Sequence, residues 1–240
     1  MKTMKHIITL LTVLLLATPT QLWAAIGCTL SNPAQDLKYL FPEMTSYKEE
    51  AREFDKMPGG ETLFKSLRAR LGSDLDPVYE TYETPYTVYR VFKGETLIGI
   101  VHGVNVPGKG GVIQVFASLG PDTGEIKNLF FQRLESPAAR ALKSKDFRNQ
   151  FTGLTLGDFY KHDYYAAAEP GSDKDRVAKL AAPGLTEQGK PDFEASLRGV
   201  RKNLILADMF AYDSKFEPYY LRAQEALAKF RAAAPGTKKD

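Results

Sequence analysis

The segment 107–137 constrains the fold more than any other part of the sequence, because two strand patterns lie there between clear turn signals. Residues 112–119 alternate well enough for a strand, and residues 125–134 give a second one. The residues between them, 121–124, combine proline, aspartate and glycine, which supply the backbone angles of a hairpin loop. The turn before the first strand contains the glycines Gly108, Gly110 and Gly111.

The remaining chain divides into a strand-rich first half and a helix-rich second half. Two further strands are predicted at 87–92 and 96–104, and 45–54 has the composition of an edge strand. Helices are predicted at 34–40, 61–71, 193–212 and 217–234, with residues 169–191 as mostly loop. This order predicts an α+β fold: a twisted antiparallel sheet of about four to six strands packed with helices, with long helices at the C-terminal end. Adjacent apolar residues in two of the strands require both sheet faces to be covered.

The order of motifs in the central segment resembles that of the FMN-binding domain family, which includes flavin subunits of Rnf and sodium-pumping NADH:quinone reductase complexes. The family pattern runs G-x-G-G-[PV]-I, strand, D-x-x-G-x-I, strand, E-T-P-G. Ala138 and Ala139 stand where the family has glycine. The residues that fit the pattern are Gly108, Gly110, Gly111, Ile113, Asp122, Gly124, Ile126, Glu135, Ser136 (for threonine) and Pro137.

The resemblance implies a flavin pocket between the glycine turn and the corner at Glu135, Ser136 and Pro137. In this interpretation the backbone of the turn approaches the ligand and its N–H groups hold phosphate. The alternatives are structural: the glycines serve only a hairpin turn, and Ser136 caps a helix that has Pro137 at its first position. Both roles of the corner are compatible.

Covalent flavin attachment in the resembling family uses a threonine in D-x-x-[ST]-G-A-T. Thr155 is the less favoured candidate for this attachment, because residues 152–155 are similar to S-G-A-T. By order along the chain, however, the motif falls at 192–199, where no G-A-T occurs. The expectation is therefore noncovalent FMN, with Ser196, Arg198 and the start of the predicted helix at 193 holding the phosphate. Arg198 also belongs to a basic cluster with Arg201 and Lys202, for which the simplest interpretation is solvated surface.

The N-terminus has the pattern of an export signal. Lys2 and Lys5 precede an apolar run at 7–17, which is too short to span a bilayer comfortably. Two alternatives stay open for residues 1–27: cleavage near Ala24 or Ala25, or lipidation of Cys28 at a lipobox-like 25–28. Cys28 is the single cysteine, and a lone thiol in an oxidising compartment is a lipidation site, a dimer link or a buried apolar filler.

Charge and composition exclude several classes of function. Removal of the 27-residue leader lowers the formal net charge from +3 to +1, so no nucleic-acid-binding surface is expected. One cysteine and two histidines outside the leader do not support a zinc site, and no hydrolase motif is present.

The prediction is a single domain at 28–240 that binds FMN and transfers electrons in the periplasm or at the outer face of the cytoplasmic membrane. Its expected partners are flavin and a membrane redox complex, with membrane contact only through a lipid on Cys28. Whether it acts as an enzyme stays open. The alternative is a flavin-free structural or partner-binding module on the same fold.

Overall fold

The computed structural model describes residues 28–77 and 79–233. Short 3₁₀ turns lie at Phe54–Lys56, Gly72–Asp74 and Glu187–Gly189. The strands of the described chain are β1 (Ser46–Arg52), β2 (Tyr86–Lys93), β3 (Thr96–Gly108), β4 (Gly111–Leu119) and β5 (Ile126–Arg133). Its helices are α1 (Pro33–Leu40), α2 (Gly60–Leu71), α3 (Ala139–Leu142), α4 (Lys145–Asn149), α5 (Leu156–Ala168), α6 (Lys190–Ala211) and α7 (Glu217–Ala233).

The five strands form one antiparallel sheet in the order β1-β2-β3-β4-β5, so each strand pairs with its neighbours in the chain. This arrangement confirms the predicted α+β class. β1 forms one edge of the sheet. Four of its seven residues are charged and most of its side chains are exposed, a common protection of an edge against pairing with other chains. β3 extends to Gly108, four residues beyond its predicted end, which shortens the glycine loop to a tight turn.

The inner face of the sheet packs against α6, which crosses β3 and β4. Val200 and Leu204 of the helix are buried in one core with Val104 and Val115 of the strands. Gly199 sets the distance of closest approach, because a Cβ atom there would lie 3.0 Å from a methyl group of Val115. This apolar contact fixes the position of the N-terminal turns of α6 beside the end of β3.

The outer face is covered by the segment that contains Cys28 and α1. Cys28, Leu37 and Phe41 pack against strand residues that include Tyr89 and Phe116. The Leu30 backbone N–H donates to the Tyr89 hydroxyl at 3.0 Å. The expectation that both sheet faces are covered is therefore confirmed. No helix within 28–77 or 79–233 combines the length and hydropathy that a bilayer span requires.

Candidate functional site

The glycine turn is a two-residue hairpin connection between β3 and β4. Gly108 pairs with Gly111, which has φ of +127°, and Lys109 and Gly110 form the turn. A Cβ atom on Gly110 would lie 1.7 Å from the main-chain oxygen of Glu135. Position 110 therefore requires glycine because two backbone segments of the chain approach each other closely there. In the interpretation from sequence, such a close approach is one between the backbone and a ligand.

The corner at 135–137 lies directly against this turn, as predicted. The Ser136 hydroxyl oxygen accepts a hydrogen bond from the Ala138 N–H at 3.0 Å. α3 begins only at Ala139, with Ala138 as its N-cap residue. The predicted cap at Ser136 with Pro137 as first helical residue is thus wrong by two residues, because a turn closed by the Ala139 N–H and the Ser136 carbonyl precedes the helix.

Asp192 joins the glycine turn and the corner. It lies in the first turn of α6 and is fully buried. Its Oδ1 accepts the Lys109 N–H at 2.5 Å, and its Oδ2 accepts the Ser136 hydroxyl. A Cβ atom on Gly108 would lie 2.9 Å from the same Oδ1. The N-terminal end of a helix also favours a carboxylate, so Asp192 is well placed as an internal anion.

Ser196 and Arg198, the two side chains predicted to hold the phosphate, differ from each other in burial. Ser196 is buried, and its hydroxyl donates to the main-chain oxygen of Asp192 at 2.7 Å. Arg198 is exposed and lines a cavity beside α6. α6 begins at Lys190, earlier than the predicted helix, because Pro191 suits its first turn.

Thr155 lies far from the corner. It caps α5, and both its N–H and its hydroxyl donate to the Asp158 carboxylate at 2.8 Å. The neighbouring Leu154 carbonyl accepts the Ile126 N–H at the start of β5, whereas the corner follows the end of that strand. The length of β5 therefore separates the two places, about 25 Å at ~3.4 Å per residue.

The cavity beside α6 has a volume of about 360 Å³. It lies between residues 73–76 with Glu80, the end of β3 and α6. The residues that line it are Ser73, Asp74, Leu75, Asp76, Glu80, Val106, Pro107, Arg198 and Lys202. Arg198 is the only residue that this cavity shares with the predicted flavin site.

A buried ion pair forms one wall of the cavity. The Lys202 ammonium contacts the Glu80 carboxylate and donates to the Asn105 carbonyl at 2.7 Å. The side chains of Lys202 and Glu80 are 4% and 0% exposed. Burial lowers the pKa of Lys202, because desolvation disfavours the ammonium form. No local sequence pattern predicts this pair, since Glu80 comes from a loop far away in the chain.

The basic cluster at 198–202 is therefore not uniformly solvated. Arg201 pairs with Asp163 at 2.8 Å and with Asp74 at 3.7 Å, and Lys202 is buried. Arg198 makes no hydrogen bond or ion pair with any residue in the described part of the chain. The expectation of solvated surface holds for Arg198 and is wrong for Lys202, because Glu80 and the Asn105 carbonyl contact its ammonium group.

The corner does not fit a flavin phosphate. The Lys109 N–H, which belongs to the turn expected to hold phosphate, donates to Asp192, and the Ser136 hydroxyl at the corner donates to the same carboxylate. The space beside Gly110 is filled by the Glu135 carbonyl. A phosphate dianion would also face the Asp192 carboxylate at short range, where like charges repel.

A scan against models of known protein families and a search of curated proteins both give no match for this chain. Within the described residues, no group of three or more histidine, cysteine, aspartate or glutamate side chains is arranged to hold a metal ion.

Proposed function

We propose that this protein is an exported, flavin-free binding module with the layout that resembles FMN-binding domains. The observation that carries the proposal is the buried Asp192 carboxylate, which accepts the Lys109 N–H of the turn expected to hold a flavin phosphate and also the Ser136 hydroxyl of the adjacent corner. The glycine turn and the Ser136 corner are then parts of the scaffold. The cavity beside α6 is the place where such a module offers both charged groups and apolar surface to a ligand.

The energetic argument concerns displacement of Asp192. A phosphate at the corner would need the Lys109 N–H and the Ser136 hydroxyl, so Asp192 would have to leave them. Its charge would then lose both donors while it stays buried, and an ionised group without partners in a protein interior is strongly unfavourable. The Asp192 carboxylate and a phosphate would therefore compete for the same two hydrogen-bond donors.

A second candidate function is noncovalent FMN binding with electron transfer at the outer face of the cytoplasmic membrane, with a membrane redox complex as partner. It is favoured by the contact between three distant parts of the resembling pattern and by a cavity next to them. In that case Arg198 would hold the phosphate in the cavity rather than at the corner. The flavin would supply the redox chemistry, and the chain would bind and orient it.

The visible spectrum separates the two candidates. The processed protein is purified from its native host, passed through gel filtration and recorded between about 350 and 550 nm, the absorption range of oxidised flavin. A colourless protein that also leaves the fluorescence of added FMN unchanged supports the flavin-free module. Flavin absorption that survives gel filtration overturns it. Loss of that absorption in Arg198→Ala, but not in the exposed control Arg68→Ala, would place the flavin in the cavity.

Export is proposed from the leader pattern, which lies outside the described residues. The structure bears on the lipid alternative through Cys28, whose side chain is 2% exposed and packs among apolar residues of the outer sheet face. A thioether-linked lipid would require this sulfur to leave the cluster. We therefore propose cleavage without lipidation, with release into the periplasm. The intact mass of the processed chain tests this, because a lipid-modified Cys28 adds the mass of its acyl groups.

A further inference from the structure

We propose that a small surface cavity between α5 and α7 binds an aromatic carboxylate, with the acid group on Arg222 and Lys161 and the ring against tyrosine side chains. The cavity has a volume of about 200 Å³. Sites for drug-sized ligands are usually about 300–1,000 Å³, so this one suits a single ring with its acid group. It shares no lining residue with the cavity beside α6. The inference therefore goes beyond the proposed function and does not depend on whether FMN binds beside α6.

Packing between α5 and α7 forms the cavity. Ala223 of α7 is buried in the same core as Tyr160 of α5, and the rings of Tyr160 and Tyr220 lie 5.4 Å apart. The Tyr219 ring of α7 lies against Gly157 of α5, where a Cβ atom would be 3.4 Å from the nearest ring carbon. These contacts fix the position of the two helices relative to each other at the cavity.

Three tyrosine rings provide the aromatic part of the lining. Tyr164 and Tyr165 come from α5, with ring centroids 5.7 Å apart and an angle of 67° between the ring planes, and Tyr219 comes from α7. Aromatic rings favour edge-to-face or offset stacked contacts with centroids about 4.5–7 Å apart. A ligand ring among these side chains can make such contacts in addition to removing apolar surface from water.

The charged residues of the lining are both cations, Lys161 and Arg222. Neither forms a hydrogen bond or an ion pair with another residue in the part of the chain that the structure describes. The Arg222 guanidinium lies over the Tyr219 ring, with its Cζ 4.6 Å from the ring centroid. Stacking on a ring face leaves the N–H groups at the guanidinium edge available for the two oxygens of a carboxylate. Two cations without an acidic partner in the lining favour an anionic ligand over a cation or a zwitterion.

The polar part of the lining favours an aromatic acid over an acidic sugar. Sugar hydroxyl groups donate as well as accept, so they need acceptors of the kind that aspartate, glutamate, asparagine and glutamine provide. No such side chain is among the described residues that line this cavity. Lysine and arginine side chains only donate. The lining therefore matches a ligand that accepts hydrogen bonds through a carboxylate and is otherwise an apolar ring.

Ligand-observed proton NMR titration of the purified, processed chain tests the inference with three compounds of similar shape. Benzoate is compared with benzamide, which lacks the charge, and with cyclohexanecarboxylate, which lacks the aromatic ring. We expect benzoate to bind at least about tenfold more tightly than benzamide, because hydrogen bonds to an ionised group are stronger. It should bind at least about threefold more tightly than cyclohexanecarboxylate, because only an aromatic ring makes the ring contacts.

Two variants with a matched control test the assignment of the acid group. Arg222→Ala should weaken benzoate binding by about tenfold or more, and Lys161→Ala by about threefold or more. Lys229→Ala is the control, since it removes an exposed cation of α7 that does not line the cavity, and it should bind benzoate as the parent protein does. Because Arg222 and Lys161 are exposed, both variants should retain the far-UV circular dichroism of the parent protein.

The inference is overturned if benzoate shows no saturable binding up to about 10 mM, or if either analogue binds as tightly as benzoate. It is also overturned if Lys229→Ala weakens binding as much as Arg222→Ala does. None of these outcomes decides the proposed function, because the flavin test depends on the visible spectrum and on Arg198 in the other cavity.

Discussion

Replacement of Asp192 by alanine should lower the free energy of unfolding by about 3–5 kcal/mol. The carboxylate accepts two hydrogen bonds, from the Lys109 N–H and the Ser136 hydroxyl, and each bond to an ionised group contributes about 1.5–3 kcal/mol. The buried donors then lack an acceptor, which adds to the cost. Loss of a negative charge from the first turn of α6 acts in the same direction, by a few tenths of a kcal/mol or more.

Urea unfolding followed by far-UV circular dichroism measures this effect. The single tryptophan, Trp23, lies in the predicted leader at 1–27, so tryptophan fluorescence would not report on a chain from which that segment is removed. With a denaturant slope of about 2 kcal/mol per molar urea, the midpoint should fall by about 1.5–2.5 M. Glu194→Ala is the matched control, since it removes an exposed carboxylate from the same turn of α6 and should change stability by about 0.5 kcal/mol at most.

A double-mutant cycle with Ser136→Ala tests the contact itself. The coupling between Ser136 and Asp192 should be about 1–3 kcal/mol, because the hydroxyl donates directly to the carboxylate. An unfolding free energy of Asp192→Ala within about 0.5 kcal/mol of the parent protein would refute the reasoning. Asp192 would then not link the glycine turn to the corner. The structural argument against a bound anion at the corner would no longer hold.

Three other buried groups give predictions. Arg70→Ala should cost about 3–5 kcal/mol, since it leaves Asp208 buried without its partner at 2.5 Å, whereas Arg70→Met combined with Asp208→Leu should recover most of the loss in urea unfolding. Burial lowers the pKa of His102 to about 4, below its unfolded value of about 6.5. Its contribution to stability is therefore present above pH ~6.5 and is lost as the pH falls toward 4, by about 3 kcal/mol, and His102→Gln should remove this part of the pH dependence. Burial raises the pKa of Cys28 to about 12, so at pH ~8 a maleimide should label the native protein far more slowly than the urea-unfolded chain; equal rates would contradict its place in the apolar cluster.

The sheet was predictable because each strand and its partner are close in sequence. Alternation marks the strands, and the turn residues between them fix the pairing of neighbours. The length of β3 was not predictable from the same signals. Its continuation to Gly108 depends on pairing with β4, and glycine and proline at its end suggested a loop instead.

The candidate site was predictable only in part. The glycine turn and the corner come together because the two strands between them bring their ends to one side of the sheet. The role of Asp192 depends on contacts across 83 residues to Lys109 and 56 residues to Ser136, and no local pattern encodes such contacts. Lys202 had the helical spacing of a surface residue, and its burial depends on Glu80 from a distant loop.

The glycine pattern illustrates why a motif can indicate a geometry without indicating a ligand. Glycine is required wherever another group approaches the backbone too closely for a Cβ atom. The sequence can indicate this requirement, but it does not identify the approaching group. At Gly110 the approaching group is the Glu135 carbonyl, which belongs to the same chain. A protein that binds phosphate at this turn and a protein that closes the turn with its own carboxylate can therefore share the same glycines. The residue that distinguishes them is the acceptor of the Lys109 N–H, which in this chain is Asp192.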